Sequence, residues 1–469
     1  MTAFFCVYSF SIFGKNQRYT LKKHSTILLF LVLVLLSCTS KSRKDENVKS
    51  LIDSIPVYLS LASDINLPFK YKQKYNQKAS DIILSQKNDS LNRVNLFKVA
   101  NRYFNMNDSK SYQKISMLVL ERSINSKDST SIAKAYTYLG DYYRSQMVSD
   151  SAFLNYFKAE KIYLRIKDEF NLAKIFLNKA DLQFAEADFF ESEIAVFKAL
   201  KILSKQKNVN NQLYDCYNLL GILYNEREEY DKALEFHNKA LLTLQDKSIP
   251  LELQLKAASL NNIGFVYSRL NNYPKAQIYF QKGLDEKDLF LDDAALYAML
   301  LDNLAYSKFK SKKGSGLPRE FYNALKIRDS LQLTSGIILS KMHLSDYYLA
   351  HKDSLRAFQF SKQALNLSRT SNKLRNRIDV LKQIANVDPV NAPKYSKEYI
   401  EINEKLVKSE RNMGEKFSRI EYETSEIKDQ NSSLQEKNKT LIYVFSICTL
   451  IGLFFYVYKI QQEIGRAHV

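Results

Sequence analysis

Tryptophan is absent from this 469-residue chain, and glycine (11), proline (7), histidine (5) and cysteine (4) are scarce. So few glycines and prolines leave little material for the turns that punctuate sheet proteins, and the chain reads as mostly helix. The glycines make no phosphate cradle, and no Walker loop occurs. Cys6, Cys38, Cys216 and Cys448 lack the spacing of a disulfide framework or a metal site. Cys216, beside Tyr217, reads as a small buried hydrophobe. His237, His343 and His351 stand alone on predicted helices, with no nucleophile or ligand at a useful spacing, and read as surface or packing histidines. Carboxylates are plentiful but scattered, so no glycosidase-type pair stands out. The expectation is a chain without catalytic, metal or cofactor sites. The missing tryptophan, beside abundant Lys, Asn, Ile and Tyr, reflects an AT-rich coding sequence as much as any selected property.

What is present is apolar and aromatic: 45% hydrophobic residues, with 31 Tyr and 28 Phe. That is ample material for a packed interior and argues against disorder. The net charge of +19 is spread, lysine and arginine alternating with Asp and Glu as in EREEYDKALEFHNK, without a basic cluster interleaved with aromatics. A solvated helical surface follows rather than a nucleic-acid interface.

Eight small residues recur at intervals of 40 to 43: Ala100, Gly140, Ala180, Gly221, Gly264, Ala305, Ser345 and Ala385. Such a period marks a solenoid rather than one compact core. Four positions earlier stand Leu96, Tyr136, Phe176, Tyr217, Leu260, Leu301, Lys341 and Leu381, and one position earlier an aliphatic residue in seven cases of eight. That spacing is one helical face. Tyr103, Tyr143, Tyr224, Tyr267 and Tyr348 follow three positions later, and pairs such as Ala152/Ala159, Ala233/Ala240, Ala276/Gly283 and Ala357/Ala364 follow at twelve and nineteen. A second helix packs on the first, with small residues where the two cross closely. The predicted fold is an all-α solenoid of helical hairpins, about 40 residues each, over 50–405.

The segments YTYLGDYY, YNLLGILYNEREEYDKALEFHNKAL and LNNIGFVYSRLNNYPKAQIYFQKGL resemble the tetratricopeptide family at its Leu-Gly, Tyr, Ala, Phe and Ala positions. The resemblance covers roughly 85 to 405. It is plainest around Gly140, Gly221 and Gly264 and faintest around Ala100 and Ala385. The usual repeat has 34 residues, so about six more per unit imply helices longer by about a turn and a half, as in kinesin-light-chain-like and bacterial peptide-sensing arrays. In that family the first helix of each hairpin lines a groove. Ligand contacts there come three before, one after and four after the small residue. Carried onto this chain, those places hold Phe97, Asn101 and Phe104; Thr137, Asp141 and Arg144; Asn218, Ile222 and Asn225; Asn261, Phe265 and Ser268; Asp302, Tyr306 and Phe309. Asn218 and Asn261 suit an extended peptide backbone, because a carboxamide both donates and accepts. A solvated groove without a dedicated ligand is the competing reading.

Lys22, Lys23 and His24 precede the apolar run Ile27 to Leu36, and Ser37-Cys38 closes it. A basic flank, a run too short to cross a bilayer and a small residue make 21–38 a secretory signal peptide. LLSC also resembles a bacterial lipobox, which makes Cys38 the lipidation candidate; an ordinary signal peptide is the alternative. Residues 1–20 read as upstream sequence, with Leu21 as an alternative start. Leu441 to Tyr458 carries no charge and spans about 27 Å as a helix, close to a bilayer's hydrocarbon core. Tyrosines near its ends and Lys439 and Lys459 at its flanks fit a transmembrane helix at 441–458. Export of the amino terminus would place the array outside the cytoplasmic membrane and the carboxyl terminus inside.

Between array and span, over 406–440, the pattern changes. Tyr399, Leu406, Met413, Ile420, Ile427, Leu434 and Leu441 recur every seven residues, one stripe on a helix of about 60 Å. The companion stripe turns polar after Ile402, so a homodimer through 399–441 would be weak; a solitary helix folded onto the last repeat is the alternative. KFSRIEYETSEIKDQNSSLQEKNKTL resembles the juxtamembrane helix of bacterial regulators that join a tetratricopeptide array to a LuxR-type helix-turn-helix or a histidine kinase. No such domain follows here. Residues 459–469 are a short stub whose end, EIGRAHV, back-translates to a string like a sequencing adapter, so the natural protein is expected to continue past about Gln462. Two functions stand: a membrane-anchored receptor binding a protein or peptide outside and signalling inward, and a structural adaptor or lipoprotein scaffolding an envelope complex.

Overall fold

The computed structural model describes residues 54–244, 255–312, 314, 316–371 and 374–466. The upstream extension, the signal peptide, Cys38 and the last three residues lie outside them. The fold is all-α as the repeat predicts, and no strand occurs among the described residues. The chain divides into two compact units, 1–135 and 136–469.

In the first unit, helix 54–61 is followed by α1 (Phe69–Ser85), α2 (Ser90–Asn105), α3 (Ser109–Asn125) and the first part of α4 (Ser129–Ser145). Leu96, Val99, Ala100 and Tyr103 of α2 and Ser116 and Val119 of α3 are buried, the apolar face read from the spacing. In the second unit the rest of α4 precedes α5 (Ser149–Ile166), α6 (Glu169–Ala185), α7 (Phe189–Leu203), α8 (Asn210–Glu226), α9 (Tyr230–Thr243), α10 (Lys256–Arg269) and α11 (Tyr273–Leu284). Then come α12 (Ala294–Lys310), α13 (Arg319–Ser330), α14 (Thr334–Ala350), α15 (Ser354–Thr370), α16 (Leu374–Val387) and the 75-residue α17 (Ala392–Arg466).

The turns repeat as faithfully as the helices. Seven residues after the small residue, the backbone enters the left-handed region at Asn107, Met147, Ala187, Glu228, Asn271, Lys312 and Lys352. At the first of these, the Asn107 N–H donates to Phe104 O and the Asp108 N–H to Tyr103 O, a helix-ending motif that satisfies two orphan carbonyls. Asp108 then caps the next helix by accepting from the Ser111 N–H at 3.1 Å. Asp188, Asn272 and Asp353 do the same for α7, α11 and α15. None of these left-handed positions holds glycine, which is how a chain so poor in that residue still turns this often.

The small residues sit at the helix crossings, each facing the residue sixteen positions on. A methyl group added to Gly140 would stand 2.4 Å from the Tyr156 ring, one on Gly221 2.5 Å from His237, and one on Gly264 2.7 Å from Phe280. At Ser345 the partner is small, and its hydroxyl lies 2.7 Å from that of Ser361. Ala385 departs from the series: it is only half-buried, and Ile378, Leu381 and Ile384 carry the packing of α16.

Candidate functional site: the groove of the second unit

First helices α8, α10, α12, α14 and α16 present one face to a common groove, on which residues one after the small residue (Ile222, Phe265, Asp346, Asn386) or three before it (Asn261, Met342, Lys382) stand. The groove holds a cavity of about 970 Å³. Ile222, Asn225, Asn261 and Phe265 line it, as the family positions imply. An adjoining hollow of about 440 Å³ lies between α6 and α8 and is lined by Asn178, Asp181, Asp215, Asn218 and again Ile222.

A polar ladder runs along this face, and its rule was not read from the sequence. At five of the eight small residues, the residue two before reaches back to the preceding repeat. Asn178 Nδ2 donates to Asp141 Oδ1 at 3.4 Å, Asn262 Nδ2 to Asn218 Oδ1 at 2.9 Å, and Asn303 Nδ2 to Asn261 Oδ1 at 2.9 Å. His343 Nδ1 lies 3.0 Å from Asp302 Oδ2, and Gln383 Nε2 donates to Asp346 Oδ1 at 2.6 Å. The ladder has consequences for the predicted contacts. Asn218 uses its carbonyl oxygen on Asn262, which leaves its N–H donors for other partners. Asn261 is occupied at both ends, its Nδ2 facing Asn262 Oδ1 at 3.4 Å and Met299 Sδ at 3.5 Å.

Asn225 is the opposite case. It is 6% exposed, lines the cavity, and its Oδ1 has no hydrogen-bond partner. Leaving such an acceptor unpaired costs about 1–3 kcal/mol, so the cavity carries an unmet demand for a donor. His237, beside it, is also buried with an unpaired Nδ1, and burial pushes its pKa down to about 4, so the ring stays neutral.

Five carboxylates lie along the groove face. Burial pushes the carboxyl of Asp141 up, and likewise those of Asp181, Asp346 and Asp379. Asp215 is pushed up to about 6, by burial and then by the negative charge of Asp181. Asp181, Asp215 and Asp379 keep exposed side chains, so a cation placed among them would be attracted across partly solvated carboxylates.

The other predicted positions do not join the cavity. On α4, Asp141 accepts from the Tyr156 hydroxyl at 2.7 Å, Arg144 faces Asp181 at 3.5 Å, and Thr137 bonds the Tyr163 hydroxyl. Ser268 is hydrogen-bonded to Ser307 at 3.3 Å. Tyr306 stacks on the His343 ring, centroids 4.1 Å apart, and lies near Phe309. In the first unit Phe97 is a core residue, 2% exposed. Asp302 requires a correction. It is completely buried behind the groove wall and pairs with Arg328 Nη1 at 2.7 Å, so it is a packing charge rather than a ligand contact. The reason is local: Arg328, Ser340 and His343 converge on it and draw it inward. Burial alone would raise its carboxyl, but His343 and Arg328 outweigh that and hold it low. His343 is accordingly no solitary histidine. Among the described residues no group of three or more His, Cys, Asp or Glu is placed to hold a metal ion.

Hairpin register, crossing glycines and groove coincide with the outcome of comparison with known proteins. Residues 257–285 match the family profile described as tetratricopeptide repeat. The hairpins are tetratricopeptide repeats. The protein ycf37 of Guillardia theta is 32% identical over 117 residues, 24% of this chain; the chain spans 55% of that relative's length. The same fold occurs in the apo quorum sensor NprR from B. thuringiensis, at 14% identity and a TM-score of 0.57, covering 76% of this chain and 99% of that one. It occurs also in a Rap protein complexed with competence and sporulation factor, at 16% identity and a TM-score of 0.51, covering 78% and 99%. The array is a tetratricopeptide solenoid, followed by a helical stretch, Ser433–Val457, which among the described residues is the one long and apolar enough to cross a membrane.

Proposed function

We propose that the groove binds an extended peptide, or an extended segment of a protein, carrying a basic residue, and that the chain is a membrane-anchored receptor. The carrying observation is Asn225: a buried, unpaired acceptor in a cavity of about 970 Å³, met by a ligand backbone N–H. Asn218 supplies donors about two turns away, and Asp181 and Asp215 favour a cationic side chain in the adjoining hollow. The fold shared with a quorum sensor and with a Rap protein complexed with a peptide factor supports the same reading. Panning a displayed library of nine-residue peptides on the full chain should recover binders. Asn218→Ala and Asn225→Ala should each weaken them about 5- to 30-fold, the loss of one hydrogen bond to a peptide at about 1–2 kcal/mol. Asn261→Ala should weaken them less, since that carboxamide is already committed within the ladder. Recovered peptides indifferent to both Asn218→Ala and Asn225→Ala would refute the groove as their site.

In this reading 21–38 exports the array, and the exposed apolar stretch of α17 crosses the cytoplasmic membrane with the carboxyl terminus inside. It relays the groove's state to an output domain beyond this sequence, with helix-turn-helix favoured over kinase. A reporter active only in the cytoplasm should give signal when fused after Tyr458 and none after Asn386; the reverse would reject the topology. A natural stop codon within a few residues of Gln462 would leave the adaptor reading standing.

A further inference from the structure

Helix α17 touches the second unit in two separate places. The first is the last repeat, where Ile402 is buried with Tyr395, Tyr399 and Leu406 against Ile378, Leu381 and Ile384 of α16. The second lies 15 residues on and far back in the sequence. Phe417 is 2% exposed and stacks on Phe153 of α5, centroids 4.3 Å apart and planes at 10°. Lys179 of α6 is buried there between Glu160 (2.9 Å) and Glu421, and Lys416 reaches Asp150 at 2.6 Å. Between the two seats, 407–409, 411 and 412 are exposed, and Glu410 pairs with Arg375 of α16 at 2.7 Å, so this stretch is held by a surface ion pair rather than by apolar packing.

Each seat includes a helix whose other face lines the groove or its adjoining hollow, although Phe153, Asp150 and Glu160 of the distal seat belong to α5, which lines neither. On α6, Lys179 lies between Asn178 and Asp181, and on α16, Ile378 and Leu381 lie among Asn376, Asp379 and Gln383. A helix from Ile402 to Phe417 has a fixed length of about 22 Å. The repeats between α6 and α16 contact mainly their neighbours, so their stacking angle is adjustable by what fills the groove. A rigid member across an adjustable arc stays seated at both ends for only one curvature. The distal seat gives way first: it holds one aromatic anchor and two ion pairs whose α17 members are 43% and 39% exposed, against a whole apolar cluster at the proximal seat. We propose that α17 is a strut that senses the groove: occupation changes the curvature, unseats Phe417 from Phe153 and frees the helix that continues into the apolar span. This rests on the groove being the ligand site.

The absence of tryptophan makes the test clean. In the full chain in lipid nanodiscs, Phe417→Trp is the sole indole, and its emission should be that of a buried ring, shifting to that of an exposed ring when Phe153→Ala is added. A peptide recovered by panning should produce the same red shift, with the midpoint of its binding curve. Gly264→Leu, which forces the α10–α11 crossing between the seats, should produce it without any ligand while helix content is kept. Exposed emission in the resting Phe417→Trp chain would overturn the strut, unless hydrogen exchange in the unsubstituted chain shows 413–424 protected and loses that protection about tenfold on Phe153→Ala, which would mean that only the indole fails to fit. Buried emission that persists both at saturating peptide and in Gly264→Leu would also overturn it. Failure to recover any groove-binding peptide would sink the proposed function alone, and Gly264→Leu would then decide the strut.

Discussion

Replacing Asp302 with alanine is expected to destabilise the second unit by about 3–5 kcal/mol, because it strands Arg328 as an uncompensated charge 3% exposed. The same substitution removes the partner of His343 and one acceptor for Ser340. A control separates charge from packing. Asp302→Leu combined with Arg328→Met should recover most of the loss, since replacing both members of a buried pair by apolar groups is often neutral or stabilising. Urea unfolding followed by helix content reads both. A loss near zero for Asp302→Ala would mean the pair is hydrated and the groove wall loosely packed. The contribution has a pH sign. A carboxyl held low in the fold stabilises fully above its unfolded value, and that stabilisation is lost as pH falls through the lower folded value.

The second large effect is expected at the crossings. Gly264→Val should cost about 1–3 kcal/mol, because its first carbon would already stand 2.7 Å from a Phe280 ring that is fully buried. Trimming the partner should give much of this back: Gly264→Val with Phe280→Leu should be less unstable than the sum of the single changes, the coupling expected of residues in contact. Gly221 with His237 should behave alike, whereas Gly314, which has nothing nearby, should accept alanine freely. Strict additivity at Gly264 and Phe280 would place the two side chains apart and undo the hairpin register.

How far the sequence discloses this follows from what makes a signal periodic. Crossing glycines and alanines recur because every hairpin meets the same steric limit, and so the fold, the hairpin partners and the apolar face were legible. The left-handed turns were not, since asparagine, lysine, alanine, glutamate and methionine all occupy them and share no composition. At the groove, Ile222, Asn225, Asn261 and Phe265 came to line the cavity because side chains one turn apart on a first helix share a face. Asp302 did not, since nothing local announces that Arg328 and His343, 26 and 41 residues away, converge on it. The ladder could have been found. Asn178, Asn262, Asn303, His343 and Gln383 all stand two before a small residue, a polar column at a place where a solvated face would hold lysine or glutamate. Phe417 is hidden in the sequence for another reason: it lies off the seven-residue stripe of Met413 and Ile420, and its partner Phe153 is 264 residues distant.

Hydrogen exchange across the full chain, with and without a peptide selected by panning, addresses the central claim that a groove on the first helices is the binding site. The account predicts slowed exchange in 218–226, 257–269 and 335–346, and faster exchange in 413–424, with the second helices α9 and α11 unchanged. Protection confined to α9, α11 and α15, with the groove helices unaffected, would contradict it.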